Sequence, residues 1–230
     1  MKNSKFKPGT KITIFFIFFS IVFIGLGVWQ VERGQSKSKI LQAYNSAGEK
    51  DPQEIQDNSN KWQRVSIEGK FDGKNQILID NVIHKGIAGY KVLTPFVSNN
   101  IDKIVLVDRG WVSAGNNRSK LPDISVSESK VEVYGTLDSP ELGLVLSDKL
   151  ITKDWPKVSQ SKNIGVLKEA FDYELFSFIL IAEPTLKDSL EYIKITPTNM
   201  MPSKHYGYAL QWFTMFLALC FMYVWVGRKI

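Results

Sequence analysis

The segment His205-Tyr206-Gly207-Tyr208-Ala209-Leu210-Gln211-Trp212-Phe213 sets one of only two histidines in 230 residues at the mouth of an apolar run. A helix repeats every 3.6 residues, so His205, Tyr208, Ala209 and Trp212 share a face. That face offers an imidazole nitrogen beside flat aromatic surface. Two chemistries suit it. His205 is an axial ligand to haem iron, which neutral imidazole matches well, or it is an interfacial anchor of the kind Trp and Tyr provide at membrane boundaries. Residue type alone leaves both open. Trp29 and Gln30 close an earlier apolar run, with Arg33 one turn beyond Trp29. Across a helix pair Arg33 would meet a haem propionate; otherwise Trp29 is a belt residue and Arg33 a topology charge.

Other candidates are sparser. His84 lies beside a glycine turn, as an exposed turn residue or as part of a site. Arg109-Gly110-Trp111 ends the most apolar strand pattern in the chain. It reads as a docking element for the membrane face, or as a strand end where Gly110 permits a bulge. The chain holds no Gly-x-Ser-x-Gly, His-Glu-x-x-His, phosphate-binding glycine loop or Cys-x-x-Cys, which removes the signatures of the common hydrolases and redox enzymes. A zinc site would need His84 plus carboxylates from unrelated positions.

The elements that must hold these residues begin with two spans. Residues 12–31 and 205–226 are charge-free runs of about 20 residues, enough to cross a bilayer as helices. Four lysines precede the first span and no small-residue cleavage site follows it, so it reads as an uncleaved signal anchor. Only 11 residues lie ahead of it, too few for an organellar presequence, which favours a bacterial chain. All 23 acids fall in residues 32–204, together with 23 of the 29 basic residues. The net charge of +6 therefore sits on the two tails, residues 1–11 and 227–230. The positive-inside bias places both tails in the cytoplasm and residues 32–204 across the membrane. A bacterial inner (cytoplasmic) membrane is the expected location, with the central domain periplasmic. A neutral domain gives no basis for nucleic-acid binding. The single cysteine, Cys220, lies within the second span, so the exported domain has no disulfide and must rest on its own core. Gly25 and Gly27 allow close helix packing without the spacing of a dimer motif.

Between the spans, Gln35 to Ala47 has weak helical character and Gly48 to Asn60 reads as a loop. Period-two patterns then predict strands over residues 62–71, 76–83, 90–97, 101–112 and 130–137; residues 142–146 suggest a short strand and 175–182 read as an apolar strand. Pro95 suggests an edge strand or a bend. Residues 164–171 suggest a short helix. The fold expected is an integral membrane protein, with two transmembrane helices flanking one mainly antiparallel, barrel-like β-rich (α+β) extracytoplasmic domain.

Three stretches, in order and at compatible spacing, carry a resemblance. Gly27-Val28-Trp29-Gln30-Val31-Glu32-Arg33 resembles the Gly-x-Trp-Gln-x-x-Arg signature of the surfeit-locus-one family. Val107-Asp108-Arg109-Gly110-Trp111-Val112 resembles its Val-Asn-Arg-Gly-Trp-Val element, with Asp108 in place of asparagine. His205 to Phe213 is similar to its His-x-x-Tyr-Ala-x-x-Trp-Phe motif. The resemblance implies an assembly factor for haem–copper terminal oxidases (cytochrome c oxidase) and not an enzyme. It implies haem A as cofactor, with His205 the iron ligand, and the oxidase large subunit, haem A synthase and the lipid bilayer as partners. Two other readings stand beside it: a membrane-anchored scaffold for an oxidase intermediate that binds no haem, and an exported enzyme with a hairpin anchor.

Overall fold

The computed structural model describes residues 6–115, 118, 120–139 and 151–229. The chain divides into two compact units, one made of residues 1–45 and 196–230, the other of residues 46–195. In the first, helix α1 (Thr10–Gly48) and helix α3 (Pro202–Lys229) carry the two apolar runs. Both are long and apolar enough to cross a membrane, with mean hydropathies of 2.5 and 1.7 over their most apolar windows. Only 6% of each window is buried, whereas a core helix of a soluble protein would bury most of its apolar surface. α1 runs 17 residues beyond the expected span, to Gly48, because no proline or turn pair interrupts it before Asp51-Pro52. α3 starts three residues ahead of His205, at Pro202. Proline suits a first helical position, where its missing N–H costs nothing.

The second unit is a β barrel with additions. Strands β2 (Arg64–Phe71), β6 (Val131–Asp138), β8 (Leu175–Ala182), β5 (Ile104–Ser113) and β4 (Ile87–Ser98) pair in that order. β4 then returns to β2 through Gly69↔Ser98, Lys70↔Val97 and Phe71↔Phe96, so the ring closes. β3 (Ile77–His84) pairs with the first half of β4, β7 (Lys157–Ser159) with β3, and β1 (Gln53–Glu54) with β2. The pairing is mainly antiparallel, as expected; β1–β2, β3–β7 and β5–β8 are parallel. Leu142 to Leu146, expected as a short strand, lies outside the described residues.

Alternation explains the core. Val65, Ile67 and Phe71 of β2 point one way and meet Phe96, Val105, Val107, Val133, Leu137 and Leu180, while Glu68 and Lys70 face out. Phe71 and Phe96 meet edge to face at 4.8 Å. A second cluster, Ile77, Ile79, Leu93, Leu106, Leu175 and Ile179, is capped by Leu167 of the one-turn helix α2 (Ile164–Leu167). β5 therefore contributes to both clusters, and a strand buried on two faces reads as a continuous apolar run. Pro95 lies in a strand paired on both sides, not at an edge. It sits where β4 leaves β3 after Leu93 and reaches β2 at Phe96, the bend that the sequence offered as its alternative, and a place where a missing N–H breaks no ladder.

Candidate functional site

The helical unit is built around small residues. α1 and α3 run antiparallel, with Gly34 against Tyr206, Gly27 against Phe213 and Gly227 against Phe6. A Cβ on Gly27 would lie 2.6 Å from the Phe213 ring, and one on Gly34 would lie 2.7 Å from the Tyr206 ring. Phe16 stacks on Tyr223 at 4.1 Å, and the Tyr223 hydroxyl shares a 3.0 Å hydrogen bond with Thr13 Oγ1. Small residues and side-chain hydrogen bonds are how membrane helices associate where lipid removes the hydrophobic drive. Of the two glycines singled out for close packing, Gly27 is used, while Gly25 has open space around it. Gly27→Leu is expected to expel the Phe213 ring and weaken the helix pair by about 1–3 kcal/mol. Energy transfer between labels at the two helix ends in detergent would fall; unchanged transfer and thermal midpoint would contradict this packing.

One residue ahead of Tyr206 on α3 is His205, 8% exposed in the first turn of that helix. Its Nδ1 is 2.8 Å from Gln30 Oε1 on α1. The other ring nitrogen, Nε2, is buried without a hydrogen-bond partner. A carbonyl oxygen can only accept, so Nδ1–H donates to Gln30 and Nε2 keeps its lone pair. The opposite amide orientation would leave Nε2–H as an orphaned buried donor, the rarer and costlier arrangement. Metal-binding histidines characteristically donate the second ring N–H to a carbonyl or carboxylate while the first holds the metal. The donor chemistry at His205 is of that kind. Because Nε2 has no open surface, a ligand reaches it only when the groups covering it move.

The remaining sequence candidates are placed as follows. Ala209 is buried beside His205, and Trp212 is half-buried against Phe23 with ring centroids 5.9 Å apart. Tyr208, expected on the same face, is 44% exposed, since position i+3 falls to the side of the stripe that His205 and Ala209 define. Trp29 is 52% exposed and Arg33 is exposed. Among the described residues, the residue that meets His205 is Gln30. Its only sequence signal was its place as the last polar side chain of the first span, inside the Trp-Gln motif.

In the β unit, Arg109, Gly110 and Trp111 turn inward and are no surface element. Arg109 is 2% exposed, and its guanidinium donates to Thr94 Oγ1, Gln76 Oε1 and the carbonyls of Ile124, Ser125 and Asp188. Burial pushes its pKa down, against the opposing pull of Asp188 and Asp123. Gly110 has φ +116°, and a Cβ there would lie 2.8 Å from the Glu191 carbonyl. Trp111 donates its ring N–H to the Val82 carbonyl and pairs its backbone with Glu191. Together they fasten the segment after β8 to the barrel. Asp108, the departure from the family pattern, is neutralised: it takes a 2.6 Å ion pair from Lys91 and accepts the Gly110 N–H. His84 lies 3.0 Å from Glu191 Oε1 and edge-on to Trp111. The hydrogen bond from Lys85, with help from His84, holds the Glu191 carboxyl below the usual glutamate range. Among the described residues no group of three His, Cys, Asp or Glu side chains could hold a metal ion.

Similarity to known proteins spans both units. The SURF1 family model matches residues 17–217. A SURF1-like protein of Rickettsia conorii is 28% identical over 223 residues, covering 93% of this chain and 90% of its own. The cytochrome oxidase assembly protein SHY1 of Saccharomyces cerevisiae is 28% identical over 113 residues, or 46% of this chain and 29% of its own. Surfeit locus protein 1 of Takifugu rubripes is 26% identical over 135 residues, or 49% and 55%. With the Trp-Gln, Arg-Gly-Trp and His-x-x-Tyr-Ala elements all inside the matched range or at its core, the chain belongs to the SURF1 family.

Proposed function

We propose that this protein is a cytochrome oxidase assembly factor that binds haem A and assists its insertion into the oxidase large subunit. One observation carries the haem part: His205 is buried with Nδ1–H engaged by Gln30 and the Nε2 lone pair left without a partner. The assembly part follows the yeast relative, a cytochrome oxidase assembly protein. When bound, haem A would supply an iron that takes a nitrogen ligand. His205 provides that nitrogen, Gln30 orients the ring, and Trp212, Tyr208 and Trp29 offer aromatic surface to the macrocycle. Arg33 is the cation for a propionate. The chain's own task is then to hold the group and release it; no catalytic step is assigned to it. Both tails lie in the cytoplasm and the β barrel on the far side of a bacterial inner membrane, where it faces the oxidase subunit and, in this reading, haem A synthase.

The scaffold reading, in which the chain steadies an oxidase intermediate without haem, draws on the covered state of Nε2. The visible spectrum of detergent-purified protein from cells making haem A, beside His205→Ala, separates the two. Stoichiometric haem lost in the variant is the expected result. No haem in either protein, with oxidase subunits copurifying, would favour the scaffold. Haem in both would place the site elsewhere.

A further inference from the structure

Gln30 shares its face of α1 with Gly27 and Gly34, three residues before and four after it. Those glycines admit the rings of Phe213 and Tyr206, which brings α3 close enough for the 2.8 Å contact between Gln30 Oε1 and His205 Nδ1. A glutamine–histidine pair that served packing alone could be exchanged for apolar side chains at almost no cost, whereas a buried orphan such as Nε2 counts against the fold. The pair thus carries a penalty on the one atom that a metal would relieve. A carboxylate in the place of Gln30 would bring a charge into the end of the span, where charges are expensive; the amide carbonyl accepts the same proton without one. The length of the side chain matters too, because it reaches across the helix gap that the two glycines set.

We infer that Gln30 is the positioning residue of this site: its side-chain carbonyl holds His205 in the Nδ1–H tautomer and so commits Nε2 as the electron-pair donor. This deepens the reading of His205 as a haem ligand and rests on it, but the tautomer is a property of the haem-free protein and is tested there.

The experiment takes full-length protein in detergent, labelled with nitrogen-15 in its histidine rings, as wild type, Gln30→Leu and Gln30→Glu. In alkaline buffer the haem-free wild type is expected to show His205 with a proton on Nδ1 and a bare Nε2. Gln30→Leu should lose that preference, and Gln30→Glu, which restores an acceptor, should recover it. On titration with haem A, Gln30→Leu is expected to bind about 10–100-fold more weakly. The ferrous iron–histidine stretch in its Raman spectrum should drop as the imidazole loses its acceptor, and Gln30→Glu should raise it. Circular dichroism confirms that the variants keep their helices, so a merely structural role would leave tautomer and stretch unmoved. A proton on Nε2 in the wild type, or an unchanged tautomer in Gln30→Leu, overturns the assignment. A wild type that shows the expected tautomer and takes up no haem A leaves Gln30 in its role and overturns the haem reading instead.

Discussion

Arg109→Ala is expected to destabilise the β barrel by about 3 kcal/mol or more, the scale of a large buried side chain removed from the centre of a hydrogen-bond network. The guanidinium uses all five of its N–H donors, on two side chains from β3–β4 territory and on three carbonyls from the loops around residues 124–125 and 188. Deleting it leaves a void and takes a donor from five acceptors, of which Gln76 Oε1 and the Ile124 carbonyl keep the donors Thr94 Oγ1 and Gln76 Nε2; a buried acceptor left unpaired costs about 1–3 kcal/mol. Among the described residues no carboxylate touches the guanidinium; Asp188 lends its backbone carbonyl, and its side chain accepts the Ser127 N–H. Arg109→Lys should recover little, since an ammonium cannot span the fork that reaches Thr94, Gln76 and Ile124 together. Urea unfolding of the full chain in detergent, followed by the barrel's near-ultraviolet signal, checks this. Hydrogen exchange at Leu190 and Glu191, whose amides bond to the Arg109 and Trp111 carbonyls, should quicken at the same time. An unchanged midpoint would mean that Arg109 is not the fastening described.

That role was hidden in the sequence, and the reason is physical. Alternation is a local signal, so strands β2 to β6 and β8 could be read from residue type within a few positions. A charged residue near a strand end reads as exposed unless one knows that positions 76, 94, 124, 125 and 188 converge on it, and no local pattern encodes that convergence. β1 and β7, of two and three residues, are too short to show a period. The far end of α1 carries only a short stripe, Ile40, Leu41 and Tyr44, which reads as weak helical character and does not show that the helix continues unbroken from the span. In the helix pair, helical spacing puts His205 and Ala209 on one buried stripe with Tyr208 to its side, and it could not show which side chain of α1 lies opposite. Gln30 became identifiable only when the antiparallel register set it level with His205. What the local sequence conveys is which faces are apolar; which polar atoms meet is decided by the register between elements.

Gly69→Ala is the second large effect, expected at about 3 kcal/mol or more. The barrel closes through only three residue pairs between β2 and β4, and Gly69 is the first of them. It occupies the inward parity of Val65, Ile67 and Phe71, where an apolar side chain would be the ordinary choice. A glycine inside a strand costs about 0.5–1 kcal/mol, so its presence marks a position where a side chain costs more. A Cβ there would run into the Val97 carbonyl oxygen and stand 2.8 Å from the Phe96 ring and 2.9 Å from the Val97 carbonyl carbon. Backbone cannot swing aside as a side chain can, and Val97 is itself held by its pairing with Lys70. The strands must part, or β4 must give up its bend at Pro95. Either way the seam opens and the amides of β4 beyond Pro95 lose protection. Lys70→Ala, on the outer face of the same strand, is the control and should stay within about 0.5 kcal/mol. Equal urea midpoints for the two variants would show that the barrel does not depend on this seam. A lowered midpoint for Gly69→Ala alone would show that a three-pair closure holds the domain together.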